Sequence, residues 1–244
     1  MLERMELACD PRYQEEVVSH QIRVGQRARD FGRLIGMSET EQQELLLGGR
    51  FHDVGKMRVP LDILLKPGRL ETDERTLMQC HTTYGVETLR SCGQPVPSAL
   101  LDMVRYHHER WDGHGYEGVV GYEIPLNARI ICLADVHDAM TADRPYRAGM
   151  SEGAALSIMV DTEQEGTVFF DPHLLRRFVA WRSDQTTDLT LSQRRHLLSF
   201  SESPVPEHAL AKGDVIPATF DQWLSQSAVA VAPSSPSSAM PLRM

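Results

Sequence analysis

Apolar positions recur with helical spacing from the start of the chain. Over residues 13–36, Val17, Val24, Ala28, Phe31 and Ile35 share one face, and Gly36 closes the segment. Ser38 followed by Glu41 predicts a capping box and a second helix, which carries Leu45, Leu46 and Leu47 into Phe51-His52-Asp53-Val54-Gly55-Lys56. Pro60, Pro67 and Gly68 predict a loop over 57–70 with one short helical turn. A third helix is predicted over 73–91, with Leu77, His81, Tyr84 and Leu89 near one face. A fourth covers 97–109 and ends in His107-His108-Glu109. The run Trp111-Asp112-Gly113-His114-Gly115-Tyr116-Glu117-Gly118 reads as a glycine-rich loop. A fifth helix begins after Pro125 and sets Ala128, Ile131, Cys132, Asp135 and Ala139 on one face; two more fit 151–163 and 171–182. No segment alternates as a strand does, so the pattern predicts an all-α bundle over 10–182. Residues 1–9 form a short extension. Residues 183–227 are weakly periodic, with Phe220, Trp223 and Leu224 marking a short docked helix, and the Ala-, Val-, Pro- and Ser-rich stretch 228–244 reads as disordered.

Composition narrows the classes of function. The chain has 244 residues, 41% hydrophobic and 24% charged, enough for a substantial core. Its net charge of −9 argues against duplex nucleic acid or an anionic membrane as partner. No apolar run approaches the ~18 residues of a membrane span. Met1-Leu2-Glu3-Arg4-Met5-Glu6 lacks an apolar segment, so no secretory signal is expected. Cys9, Cys80, Cys92 and Cys132 form no Cys-x-x-Cys pair and are expected to be reduced thiols of a cytoplasmic protein.

The candidate chemistry lies in histidines and aspartates. His20 falls in line with Val24, Ala28 and Phe31, and Glu16 stands one turn before it. His52 and Asp53 are adjacent at a helix end, as are His107 and His108. His81 lies on the Leu77/Tyr84 face, and Asp135 sits in the apolar run Ile131-Cys132-Leu133-Ala134-Asp135-Val136. A carboxylate buried there needs a partner. Imidazoles and carboxylates converging in an apolar bundle suit a di- or trinuclear site of iron, manganese or zinc, in which Asp53 can bridge two ions. Each residue alone has a plainer reading: a histidine on an apolar face as a satisfied core residue, Asp135 as a salt-bridge partner. Trp111 and Tyr116 are candidates to stack on a base or to pack against the loop. Asp112 is a candidate to orient a ligand histidine or to cap the loop.

At His52-Asp53 with Gly55-Lys56, the chain resembles the HD superfamily of metal-dependent phosphohydrolases. Through Leu65-Lys66-Pro67-Gly68, His81, His107-His108-Glu109, Asp112-Gly113, Gly115-Tyr116, Ile124-Pro125, Ala128-Arg129-Ile130, Ala134-Asp135 with Asp138-Ala139, Arg144-Pro145-Tyr146-Arg147 and Phe170-Asp171-Pro172, it is similar to the HD-GYP family. The resemblance covers residues 10–182. It implies an HD-type five-helix core extended by additional helices. It also implies hydrolysis of cyclic di-GMP to pGpG, and in some members to GMP, by a metal-bridged hydroxide. It implies His52, Asp53, His81, His107, His108 and Asp135 as ligands of a dinuclear centre, His20 as a further ligand and Glu16 as the extra carboxylate of members with a third metal. Two or three divalent ions, iron or manganese, follow from it. The resemblance further implies catalytic roles for Asp53 and Lys56, and Lys56, Arg144 and Arg147 as the residues that hold substrate phosphates, with Asp112 and Tyr116 at the pocket.

The family's Gly-Tyr-Pro is here Gly115-Tyr116-Glu117. Proline would fix φ, whereas Glu117 adds a charge and leaves a free N–H. The change touches loop placement and partner recognition. No receiver, PAS or GAF domain is expected before the core, and a homodimer or a signalling-domain partner is the expected assembly. The competing function is a non-catalytic module that binds a cyclic dinucleotide and keeps the metal site. A di-iron oxygenase is disfavoured by Lys56, Arg144 and Arg147.

Overall fold

The computed structural model describes residues 17–66, 68–143, 148–164 and 167–204. These residues form helices and loops, with no strand among them. Helix α1 (Ser19–Leu34) buries Val24, Ala28 and Phe31 completely. It crosses α2 (Glu39–Phe51) at a glycine contact: a Cβ on Gly49 would stand 2.4 Å from the Cα of Gly25. The two backbones therefore approach more closely than any side chain would allow. The capping box of α2 forms as its sequence predicts. The Ser38 N–H donates to Glu41 Oε2 at 2.8 Å, and the Glu41 N–H donates to Ser38 Oγ at 3.3 Å.

After α2 come a 3-10 turn (Val54–Arg58) and the short helix α3 (Leu61–Leu64), the one turn expected in that loop. The helix expected over 73–91 is two helices, α4 (Thr72–Gln79) and α5 (His81–Arg90). The chain breaks at Cys80, where ψ is −10° and the N–H turns to the Thr76 and Leu77 carbonyls. The break makes the Met78 carbonyl available to the His81 ring, whose Nδ1 donates to it at 2.7 Å. Helix α6 (Ser98–Tyr106) stops before the 109 expected, and His107 and His108 stand in the turn beyond it.

Helix α7 (Leu126–Thr141) runs through the middle of the packing. Ala128, Ile130, Ile131, Leu133, Ala134 and Met140 are all buried, so apolar groups point out from it in several directions. Helices α8 (Glu152–Gln164) and α9 (Pro172–Gln185) pack on it, as expected from 151–163 and 171–182. Helix α10 (Leu191–Glu202) lies within the weakly periodic stretch after 182. It starts at a Thr190/Gln193 capping box, packs on α8 and α9, and sends Leu197 and Phe200 into the main core. Leu191 and Leu198 on the same helix stay exposed, which is why its period is faint. The helix expected near Phe220, Trp223 and Leu224, and the tail 228–244, lie outside the described residues. Among the described residues no helix is long and apolar enough to cross a membrane.

Candidate metal centre

Three histidines reach the centre from helix ends by one device. The Nδ1 of His52 lies 2.8 Å from the Gly49 carbonyl, that of His81 lies 2.7 Å from the Met78 carbonyl, and that of His107 lies 3.0 Å from the Val104 carbonyl. In each case the acceptor is three residues back, where a helix end leaves a carbonyl to spare. A carbonyl can only accept, so each Nδ1 carries the proton and each Nε2 turns a lone pair inward. His81 Nε2 and His107 Nε2 face each other at 3.3 Å as two acceptors. His52 Nε2 and Asp53 Oδ1 are buried with no hydrogen-bond partner. Buried polar atoms of this kind normally find one.

Asp53 stands between two groups of donors. Its Oδ1 lies 3.3 Å from His81 Nε2 and 3.9 Å from His107 Nε2. Its Oδ2 lies 3.3 Å from His52 Nε2 and 4.0 Å from His20 Nε2. Asp53, His81, His107 and His108 offer ligand atoms within 4.8 Å of one another, and so do His20, His52 and Asp135. Of the sequence candidates, these seven residues are brought together in two adjoining clusters. His20 Nε2 faces Asp135 Oδ1 at 2.9 Å, a gap that takes a shared proton or a cation near both atoms. The nitrogen and oxygen donors, with lone pairs left unmet, suit divalent metal ions.

Burial pushes His81 down to about 3 and His108 down to about 4, and holds His107 well below the ordinary imidazole value. All three are neutral near pH 7, as ligation requires. Burial would raise the Asp53 carboxyl, but Lys56 and His52 beside it hold it well below the carboxylate range. Burial would likewise lower His20, but its bonds to Asp135 and Asp138 raise it.

Around this centre, Lys56 Nζ donates to Asp53 Oδ2 at 2.6 Å from a half-buried position. Asp138, which was not singled out among the site candidates, holds the far side of His20. His20 Nδ1 lies 2.8 Å from its Oδ2, and Arg23 and Arg27 both donate to the same carboxylate. Its place one helical turn after Asp135 is the signal that was available. Tyr116 tilts over His108 with ring centroids 4.7 Å apart and is 40% exposed, so it stands at the mouth of the centre.

The Glu117 N–H is not free. It donates to Glu109 Oε1 at 2.6 Å, the Val119 N–H donates to Glu109 Oε2 at 2.7 Å, and Arg105 donates to the Glu117 carboxylate at 2.7 Å. The loop is thus tied to the residue that follows His107-His108. Asp112, a candidate to orient a ligand histidine or to cap the loop, makes the capping contacts. It is buried, accepts from Arg110 with both oxygens and caps the loop through the His114 N–H. Trp111 is not a stacking platform. It is buried against Tyr122, edge to face at 4.8 Å, with Arg129 over its ring. Glu16, Arg144 and Arg147 lie outside the described residues.

A family model described as "HD domain" matches residues 7–174. The chain is 39% identical over 151 residues to the "Cyclic di-GMP phosphodiesterase response regulator RpfG" of Xanthomonas campestris pv. campestris, covering 61% of this chain and 39% of that protein. It is 38% identical over 133 residues to the "3'3'-cGAMP-specific phosphodiesterase 2" of Vibrio cholerae, covering 54% of this chain and 26% of that one. The chain spans well under half the length of these curated relatives. Among solved structures, an HDG"Y"P protein from Bdellovibrio bacteriovorus aligns over 68% of this chain and 52% of its own, with a TM-score of 0.56 at 15% identity, a likeness of fold.

Proposed function

The chain belongs to the HD domain family, and from that premise we propose that it is a metal-dependent cyclic dinucleotide phosphodiesterase that opens cyclic di-GMP to pGpG and onward to GMP. The observation that carries this reading is the set of inward lone pairs with no proton to meet them: His81 Nε2 against His107 Nε2, together with the orphan His52 Nε2 and Asp53 Oδ1. Cations satisfy such a set, and the fixed tautomers make the residues present fit them. His20, His52 and Asp135 would hold one ion, and Asp53, His81, His107 and His108 the other, with one Asp53 oxygen turned to each. The mixed nitrogen and oxygen donors accept several divalent ions, and iron or manganese is the choice the family resemblance implies. Glu16 would add a carboxylate for a third ion. When bound, divalent ions supply Lewis acidity for the phosphodiester and a water acidified toward neutral pH.

The chain's own residues do the rest. Lys56, half-buried beside Asp53, would offer its ammonium to a non-bridging phosphate oxygen, and Arg144 and Arg147 would add further contacts. Tyr116 forms a wall for a base. Residues 10–182 would carry this chemistry, in the cytoplasm, where the free thiols of Cys80, Cys92 and Cys132 are stable.

The test is a product assay on protein purified without oxygen. Metal per chain is determined, and the protein is incubated with cyclic di-GMP and separately with 3'3'-cGAMP, with Fe(II) or Mn(II). Linear dinucleotide or mononucleotide is expected, and its formation is expected to vanish in His52→Ala and Asp53→Ala. Wild-type rates in those variants would overturn the assignment of the centre. Full metal loading with both dinucleotides left intact would replace catalysis by binding.

A further inference from the structure

Between α1 and the C-terminal part of α9 lies a second concavity of about 520 Å³ that shares no lining residue with the two donor clusters. Arg23, Arg27, Arg33 and Arg182 are among the residues that line it, and Asp30 is the one carboxylate residue of its wall, in a chain whose net charge is −9. The pattern along α1 builds it. His20, Val24, Ala28 and Phe31 form the core stripe, while Arg23, Arg27, Asp30 and Leu34 form a parallel one beside it. Arg33 and Arg182 stand in the last turns of their helices, where they offset the negative helix ends.

Three of these arginines are held in place yet keep donors to spare, and the fourth, Arg33, is exposed. A guanidinium carries five N–H donors. Arg23 commits Nε and Nη2 to Asp138, and Arg27 commits Nη1 to the same carboxylate. Arg182 commits Nε to Glu152 and Nη1 to Gln185. Arg33 lies 3.8 Å from Asp30, beyond hydrogen-bond length, with its side chain 64% exposed. Trp181, stacked on Phe31 at 5.7 Å, makes the wall rigid and apolar.

We propose that this groove is a second binding site, for the phosphate monoester of a nucleotide. A terminal phosphate carries nearly two charges and three strong acceptor oxygens, which matches a wall of four arginines better than a singly charged diester does. The choice of a nucleotide rests on the phosphodiesterase reading, since hydrolysis of a cyclic dinucleotide yields such a monoester; the anion site itself does not. The groove also has a route to the centre. Asp138 accepts from Arg23 and Arg27 on one side and bonds His20 on the other. A phosphate that draws either arginine toward itself loosens the carboxylate that orients His20, so occupancy of the groove slows turnover.

The experiment is calorimetric titration of the metal-loaded full chain with GMP, inorganic phosphate and guanosine, in wild type, Arg33→Glu and Arg33→Lys. Arg33 is mostly exposed, so Arg33→Lys is expected to keep its melting temperature, and Arg33→Glu, which puts a carboxylate beside Asp30 at the helix C-terminus, to lose only a small part of it while staying folded. GMP should fill a class of sites that weakens on the order of tenfold or more in Arg33→Glu and persists in Arg33→Lys. Phosphate should compete for that class and guanosine should not. Phosphate binding as tightly as GMP would make free phosphate the ligand of the same site. GMP binding that is identical in wild type and Arg33→Glu, or guanosine binding as well as GMP, would overturn the proposal. In turnover assays, GMP should lower kcat in wild type and not in Arg33→Glu through this class. An Arg33-sensitive class in a protein without turnover would leave the groove standing and remove the phosphodiesterase reading instead.

Discussion

At the scale of single residues, the protein sets its ligand chemistry with main-chain carbonyls. His52, His81 and His107 each spend their Nδ1 proton on a carbonyl three residues back, so the ring nitrogen left for a cation is chosen before any ion arrives. The same economy operates at Glu117. Where the family motif has proline, this chain has a residue whose N–H reaches the buried Glu109 carboxylate and whose side chain meets Arg105. The ion pair is partly exposed and worth less than about 1 kcal/mol, whereas an N–H bonded to a buried carboxylate is worth roughly 1.5–3 kcal/mol. Glu117→Pro is therefore expected to cost more stability than Glu117→Gln, which keeps the N–H. Denaturant unfolding of the two variants checks this; equal losses would mean that the side-chain pair, not the main-chain bond, ties the loop.

At the scale of elements, the centre depends on how closely the 3-10 turn presses on α5. A Cβ on Gly55 would lie 1.9 Å from the His81 carbonyl oxygen and 2.4 Å from the Gly85 nitrogen. Gly55→Ala must push the turn away from α5 and carry Asp53 away from His81. A loss of about 1–3 kcal/mol is expected, together with less metal per chain, read by thermal unfolding and elemental analysis. Retained metal stoichiometry would show that the centre tolerates the shift. The elements themselves were partly legible. The Ser38/Glu41 box announces α2, and the apolar run before Asp135 announces a buried α7. The break at Cys80 was hidden because Leu77, His81 and Tyr84 keep their phase across it. Helix α10 was hidden because only Leu197 and Phe200 of its apolar residues are buried. The donors His20, His52, Asp53, His81, His107, His108 and Asp135 were legible through their joint order, not through any one of them. The burial of Asp112 and Trp111 depends on contacts between segments that no local pattern encodes, whereas Asp138 was legible only as the residue one turn after Asp135.

At the scale of the whole molecule, burial of so many histidines sets the response to acid. His81 is pushed down to about 3, and His108 and His137 down to about 4. The unfolded chain takes up protons below about pH 6.5 that the folded chain refuses until near those values. Stability of the chelator-treated protein should therefore fall as pH drops from 6.5 toward 4, by roughly 2 kcal/mol per histidine at pH 5. His20 acts in the opposite sense. Its pKa is raised, so its contribution is full below pH 6.5 and is lost as pH rises through the folded value; it leaves the fall below 6.5 unchanged and narrows the difference between pH 7 and pH 5. A lower melting temperature at pH 5 than at pH 7 is expected; a higher one would show that His20 outweighs the others. The distribution of donors along the chain has a further consequence, in the order of events during synthesis. Asp53, His81, His107 and His108 have all emerged from the ribosome while Asp135 is still to come. The Asp53, His81, His107 and His108 cluster is thus synthesised whole before Asp135, whereas the His20, His52 and Asp135 cluster closes only when α7 docks and the chain's two distant contributions to the centre meet.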